Sequence, residues 1–135
     1  MNNNAKKWLE VLESGELIQG KGVLHNEDDN SYCCLGVACE LAIKAGLPIT
    51  TRSDVRYVYN EIRTKQARVT MYSDGKEELY GALPETVKTF LGLEGSLGDA
   101  TDPMMSSLSA LNDSGKTFAE IAAILRENES DYFYE

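Results

Sequence analysis

Apolar residues recur at helical spacing in two segments near the N-terminus. In residues 1–14 they fill one face of a helix, at Ala5, Trp8, Leu9 and Leu12. From Cys33 to Ala45 they cover most of the circumference, and a Gly-Leu-Pro sequence at 46–48 then stops the helix. Because a helix that is apolar on most sides is normally buried, we predict that residues 33–45 form the central helix of the domain.

The pattern changes to alternation between residues 50 and 80. There Val55, Tyr57 and Tyr59 occupy every second position, and an Asp-Gly pair at 74–75 follows a further run of β-favouring residues. Asp-Gly between such runs is a strong signal for a hairpin turn. We therefore predict a small antiparallel sheet of two or three strands in this middle section.

Two more helices are predicted in the C-terminal half. A Leu-Pro-Glu sequence at 83–85 opens one of them, and Gly92 ends it in a Schellman-type motif. Residues 117–120, Thr-Phe-Ala-Glu, fit the capping box that begins the other, which we expect to fray after Arg126. The tail, residues 127–135, is acidic and aromatic, and we expect it to be mobile.

These elements place the chain in the α+β class. A length of 135 residues fits one domain. We expect a single compact domain over residues 1–126, with about four helices around the buried helix 33–45 and a small antiparallel sheet from residues 50–80.

The charge balance excludes some classes of partner. The chain has 13 Lys and Arg against 22 Asp and Glu, a net charge of −9. General nucleic-acid binding is disfavoured because phosphates are neutralised by clustered basic residues. Residues 52–68 have a local net positive charge, with five basic and two acidic side chains, and this segment could therefore bind an anion. No apolar stretch predicts a membrane span or a secretion signal.

Cysteine and histidine usage indicates a reducing compartment and no metal. Cys33, Cys34 and Cys39 lie within seven residues, which makes a poor disulfide framework and favours the cytoplasm. With His25 as the one histidine, their spacing matches no common zinc site. We expect neither a metal nor another cofactor.

Cys33 is the best single candidate for reactivity. It is predicted at the start of the central helix, on the water-facing strip that it shares with Gly36, Glu40 and Lys44. The helix dipole and free N–H groups favour a thiolate at such a position. The alternative is a thiol that only packs near the helix end. A cysteine hydrolase is disfavoured because no histidine follows residue 25 to act as its base.

Two other segments carry groups suited to a small anionic ligand. The Asn-Asp-Ser-Gly-Lys sequence at 112–116 can offer backbone N–H groups and a lysine near a helix start, or it can be a turn and a cap. In the basic middle section, charge and aromatic stacking can hold a nucleotide, or the residues can form an exposed sheet face. The candidate ligand-binding residues are Cys33, Arg56, Tyr57, Tyr59, Asn112, Asp113, Ser114 and Lys116.

In three motifs the sequence resembles a group of small proteins encoded by bacteriophages, prophages and some bacteria. The motifs are YCCLGVACEL at 32–41, LPETV with FLGL at 83–93, and LNDSG with FAEIA at 111–122. The resemblance covers both ends of the domain and brings no catalytic residues with it. It implies a cytoplasmic accessory protein, located in the host cell where the gene is carried by a phage, that acts in phage–host conflict.

We therefore expect a non-enzymatic protein that acts by binding, either on a host protein or on a small anionic ligand such as a nucleotide, with counter-defence as one role. One alternative is a small enzyme that uses Cys33 or the Asn112-Asp113 turn on a nucleotide-like substrate. Another is an acidic mimic of nucleic acid. We expect no membrane partner, and a homo-oligomer stays open.

Overall fold

The computed structural model describes residues 1–59 and 64–134, and over these ranges the chain has an α+β fold with six helices and six strands. The helices are α1 (Asn3–Ser14), α2 (Cys34–Lys44), α3 (Glu85–Leu91), α4 (Leu108–Asp113), α5 (Phe118–Glu127) and α6 (Glu129–Tyr132). The strands are β1 (Ile18–Gln19), β2 (His25–Asn26), β3 (Ser31–Tyr32), β4 (Thr50–Tyr59), β5 (Thr64–Ser73) and β6 (Glu78–Leu79). The predicted class is confirmed. None of the helices in these ranges is long and apolar enough to cross a membrane.

The sheet is larger than the predicted two or three strands. Its order is β1-β3-β2-β5-β4, with β6 paired to β5 as well, and the pairing is antiparallel except between β1 and β3. The ladder of β4 and β5 runs from Thr50–Ser73 to Tyr59–Thr64. The predicted turn at Asp74-Gly75 joins β5 to β6, with Gly75 at a φ of 93°. The three extra strands have two residues each, too few for alternation to reveal them.

Helix α2 is buried along most of its length and contacts α1, α3 and α4. The Cys34 carbonyl, in the first turn of α2, accepts a hydrogen bond of 3.0 Å from the Trp8 indole, and this bond holds α1 against α2. At the other end, Gly46 has a φ of 95°, and the N–H of Leu47 bonds to the carbonyl of Ala42. The predicted glycine stop is therefore confirmed.

The predicted water-facing strip of α2 is wrong at its first two positions. Cys33 and Gly36 are buried, and a Cβ on Gly36 would overlap the carbonyl oxygen of Leu24. Helical periodicity alone missed this because the segment that covers this side of the helix, residues 23–24, comes from a loop. Further along, Glu40 is half-buried and accepts a hydrogen bond of 2.7 Å from the Tyr72 hydroxyl.

The predicted ends of α3 and α5 are confirmed. Gly92 has a φ of 72°, and the N–H of Leu93 bonds to the carbonyl of Lys88, as in a Schellman motif. At the start of α5, the Thr117 side chain accepts from the N–H of Glu120, whose carboxylate accepts from the N–H of Thr117. Both ends are fixed by neighbours within a few residues, which is why a local pattern predicts them.

The tail is packed rather than free. Tyr132 and Phe133 are 1% and 4% exposed, and both belong to the main hydrophobic core. The Tyr132 hydroxyl donates to the carbonyl of Ser106 at 2.9 Å, and Phe133 forms a β-bridge with Leu93. We expected mobility because chain termini usually fray. Burial of two aromatic side chains opposes fraying here, because each removes a large apolar area from water.

Replacement of Gly36 by alanine is expected to lower the free energy of unfolding by about 3 kcal/mol, because the new methyl group must push α2 away from Leu24. Denaturant unfolding monitored by Trp8 fluorescence measures the change. Gly81→Ala is the matched control, since a Cβ there meets no atom within 4 Å. Equal losses in the two variants would show that the close approach at Gly36 is unimportant.

Candidate functional site

The buried side chain of Asn112 joins three separate segments. Its Oδ1 accepts hydrogen bonds from the Cys34 N–H at 3.1 Å and from the Gln19 side-chain amide at 3.0 Å. Its Nδ2 donates to the carbonyl of Gly20 at 2.7 Å. The start of α2, the end of α4 and the loop after β1 therefore meet at this one amide, which is 0% exposed.

A second set of contacts holds the same loop against the turn before α5. The Gln19 side chain donates to the carbonyl of Lys116 at 2.7 Å and accepts from the N–H of Phe118 at 3.1 Å. Next to it, the N–H of Gly22 donates to Asp113 Oδ1 at 2.9 Å. Two of the sequence motifs, YCCLGVACEL and LNDSG, are thus brought together around residues 19–22. The role of Gln19 left no signal in hydrophobic periodicity.

Cys33 lies at this junction, and its predicted exposure is wrong. The residue is 6% exposed, and burial raises the pKa of its thiol to about 11. The N–H groups of Gly36 and Leu35 act in the opposite direction, as expected at a helix start, but by less. Cys33 has an extended backbone, with φ −79° and ψ 170°, so its side chain does not continue the periodicity of the helix. The thiol is protonated at neutral pH.

The Asn-Asp-Ser-Gly-Lys segment has the geometry of a turn and a cap. Ser114 and Lys116 are exposed, and the Ser114 hydroxyl donates to the carbonyl of Leu111 at 2.9 Å. In the first turn of α5, side chains already take the N–H groups of Phe118 and Glu120. Those donors are therefore not free for an anion.

Asp113 reaches a groove of about 650 Å³ that also contains residues from the sheet. The apolar floor includes Met71, Val58 and Tyr80, which belong to a second hydrophobic cluster together with Val23, Ala67 and Val69. The groove is lined by Gly22, Arg56, Tyr57, Val58, Met71, Glu78, Leu79, Tyr80, Gly81, Ala82 and Asp113. Three candidate residues, the consecutive Arg56 and Tyr57 and the distant Asp113, thus line one cavity.

Arg56 provides the cationic end of the groove. Its guanidinium carbon lies 5.6 Å from the centre of the Tyr80 ring, within cation–π range. Its Nη2 donates to Asp54 at 2.9 Å, whereas its Nε is buried without a hydrogen-bond partner among the described residues. Asp54 also binds Arg52, which in turn binds Glu78 at 2.7 Å. These four residues form one charged wall, of which Arg56 and Glu78 line the groove itself, and their charges compensate one another.

The same wall keeps its acids ionised. The N–H of Val55, and then the guanidiniums of Arg56 and Arg52, hold the pKa of Asp54 below its ordinary value. The hydrogen bond from Arg52 lowers the pKa of Glu78 in the same way.

Asp113 provides an acceptor in the same groove. Its Oδ1 is taken by the N–H of Gly22, but no described residue donates a hydrogen bond to its Oδ2. The groove thus combines a flat cation, an apolar floor and a carboxylate oxygen that accepts no hydrogen bond from the described residues. Of its lining residues, Met71 and Tyr80 lie within the predicted sheet section, residues 50–80, where the sequence pattern indicates no contact with Arg56.

Of the two candidate tyrosines of β4, the structure describes the side chain of Tyr57. Tyr57 pairs with Gln66 and Arg56 with Ala67, so their side chains lie on opposite faces of the sheet. The Tyr57 side chain is 64% exposed and contributes to the groove through its place in the strand. Tyr59 ends β4, and its side chain lies outside the described part of the structure.

A polar cluster on the other face of the sheet was not predicted. The His25 ring stacks on Tyr32 with centroids 4.1 Å apart, and its Nδ1 lies 2.8 Å from Thr70 Oγ1. Thr70 donates to Glu27 at 2.6 Å, and Ser53 donates to the same carboxylate, so that the pKa of Glu27 is lowered. Each of these groups has a partner, and the cluster fastens β2 and the loop after it to the hairpin. Among residues 1–59 and 64–134, no three His, Cys, Asp or Glu side chains form a metal-binding group.

The sequence model of the family described as Domain of unknown function (DUF8296) matches residues 1–129. The match covers nearly the whole chain, and the protein belongs to this family. No curated protein and no solved structure matches the chain.

Replacement of Asn112 by alanine is expected to lower the free energy of unfolding by about 3 kcal/mol, because the Cys34 N–H and the Gly20 carbonyl lose their buried partner. Ser114→Ala, two residues away but exposed, is the control and is expected to cost less than about 0.5 kcal/mol. Urea unfolding of both variants measures the difference. If Asn112→Ala were as stable as the control, the junction would not depend on this amide.

The folded protein is expected to leave Cys33 unmodified by a maleimide at neutral pH, since the thiol is buried and protonated. Its fully buried neighbours Cys34 and Cys39 should be equally unreactive. Mass spectrometry counts the adducts before and after denaturation, and three are expected only in denaturant. Rapid labelling of Cys33 in the native state would contradict its burial and restore the enzymatic alternative.

Proposed function

We propose that this member of the DUF8296 family is a non-enzymatic binding protein that holds a small nucleotide-like ligand in the groove between Arg56 and Asp113. The observation that carries the proposal is the meeting of these two side chains, 57 positions apart, across an apolar floor. The resemblance to phage-encoded proteins suggests the purpose: removal of such a ligand from use in the host cytoplasm, as in counter-defence.

Each part of the groove suits one part of a nucleotide. The Arg56 guanidinium can bind a phosphate, because a charge-assisted hydrogen bond to an oxyanion is among the stronger polar contacts in proteins. The Oδ2 atom of Asp113 can accept from a sugar hydroxyl or a base amino group. A planar base can lie on the floor beside Tyr80, and Gly22 and Gly81 leave the backbone accessible there. The volume of about 650 Å³ falls within the usual range for small-molecule sites.

The charges favour a ligand with a single phosphate. Asp54 and Glu78 already balance Arg52 and Arg56 along the wall, and Asp113 adds a further negative charge. A triphosphate would bring more negative charge than Arg56 alone can offset. A nucleoside monophosphate or a cyclic mononucleotide fits this balance better.

Two features support binding without catalysis. Cys33 is buried and protonated at the Asn112 junction, and the amide of Asn112 is engaged in structural hydrogen bonds. The residues that line the described groove pair no nucleophile with an imidazole or another base. Activation of a nucleophile normally needs such a pair.

Isothermal titration calorimetry with nucleoside monophosphates, cyclic mononucleotides, the corresponding nucleosides and inorganic phosphate tests the proposal. We expect at least one mononucleotide to bind and Arg56→Gln to weaken it about tenfold or more, which corresponds to about 1.4 kcal/mol. Asp113→Asn should weaken binding of the ligand less, since the amide oxygen can still accept the hydrogen bond from the N–H of Gly22.

Arg126→Gln is the matched control, because Arg126 is an exposed arginine that pairs with Glu13 away from the groove. It should bind like the wild type. Chromatography of the ligand after prolonged incubation should recover it unchanged. Absence of binding by every mononucleotide, or equal affinity in Arg56→Gln, would reject the nucleotide groove and leave a host protein as the partner to seek. Turnover of the ligand would favour the enzymatic alternative.

A further inference from the structure

Strand β4 lies at the end of the sheet and pairs only with β5 among the described strands. It is ten residues long, whereas the strands at the other end have two. A strand edge of this length presents a row of backbone N–H and C=O groups that can pair with another chain.

The ladder shows which backbone groups face outward. Arg68 of β5 directs its carbonyl to the N–H of Glu27 and its N–H to Asp28, on the side away from β4. Val55, its partner in β4, therefore directs its own N–H and C=O away from β5 as well. By the alternation of the strand, Thr51, Ser53 and Tyr57 face outward in the same way. The N–H of Val55 is bonded to the carboxylate of Asp54 at 2.8 Å, outside the ladder.

The same edge exposes apolar side chains. Val55 is 46% and Tyr57 64% exposed, and the two lie on one face of the strand. Both are β-favouring residues whose exposed surface is stabilised by cross-strand packing.

The charges on β4, together with its exposed Val55 and Tyr57, favour one antiparallel register with a second copy of itself. If Val55 lies opposite Val55, then Asp54 lies opposite Arg56 of the other copy, twice by symmetry. The next register in which outward-facing backbone groups meet is shifted by two residues, and it places Asp54 opposite Asp54 in one direction or Arg56 opposite Arg56 in the other. Like charges directly opposite destabilise a sheet. In the favoured register Tyr57 faces Ser53, so the ring can cover the exposed valine diagonally.

We propose that two copies of the protein pair through their β4 strands in this register, with the two-fold axis at Val55, to form one continuous sheet. On pairing, the N–H of Val55 exchanges the Asp54 carboxylate for the backbone carbonyl of the facing Val55. The released carboxylate then contacts Arg56 of the other copy. Asp54 thus covers the edge of the monomer and joins the two edges of the dimer.

Charge reversal tests the register. Sedimentation velocity at a series of protein concentrations should show dimerisation of the wild type, and Asp54→Arg or Arg56→Asp alone should weaken it about tenfold or more. An equimolar mixture of the two single variants should dimerise again, because each Arg then faces an Asp. The double variant Asp54→Arg/Arg56→Asp should also recover. Circular dichroism and thermal unfolding verify that each variant folds.

Val55→Pro provides a second test that does not alter charge. Its N–H takes no part in the β4–β5 ladder, so proline is expected to leave the hairpin folded while it removes a hydrogen bond at the two-fold axis. Val55→Thr keeps that N–H and should dimerise. A wild type that is monomeric at every concentration, a Val55→Pro dimer, or single variants that fail to combine would each overturn the proposal. An extended segment of another protein would then be the occupant to test.

Discussion

The fully buried amide of Asn112 is the contact on which the arrangement of α2, α4 and the loop after β1 depends. A buried amide must have hydrogen-bond partners, and Asn112 finds them on the first turn of α2 and on the loop after β1. The same loop is held by Asp113, next in the chain, through the N–H of Gly22. One satisfied amide therefore sets the position of Cys33 beneath the junction and of Asp113 at the groove.

The long hairpin gives the sheet two different faces. On one, Arg56 lines the groove beside a small apolar cluster and binds Asp54. On the other, Thr70 and Ser53 bind Glu27, and Tyr72 enters the main core and binds Glu40. The net charge of −9 thus hides local compensation: along the groove wall two acids face two arginines.

Features fixed by neighbours in sequence could be predicted, and those fixed across the fold could not. The stops at Gly46 and Gly92 and the capping box of α5 are local, and they were confirmed. The burial of Cys33 and Gly36 depends on Leu24, and the burial of Phe133 depends on Leu93. Hydrophobic periodicity cannot predict burial of this kind, because the covering residue is distant in the sequence. The candidates Arg56 and Asp113 were chosen for chemistry alone, and only the fold places them in one groove.

Strand β4 connects the two proposals through a single carboxylate. Asp54 binds Arg56, the proposed phosphate-binding residue. It also accepts the hydrogen bond from the N–H of Val55, which in the proposed dimer bonds to the second copy. A phosphate on Arg56 draws the guanidinium away from Asp54, whereas pairing gives that guanidinium a new carboxylate across the interface. The two events therefore compete for Arg56. Linkage between binding equilibria is reciprocal. The factor by which the bound ligand lowers the dimerisation affinity therefore equals the factor by which dimerisation lowers the affinity for the ligand.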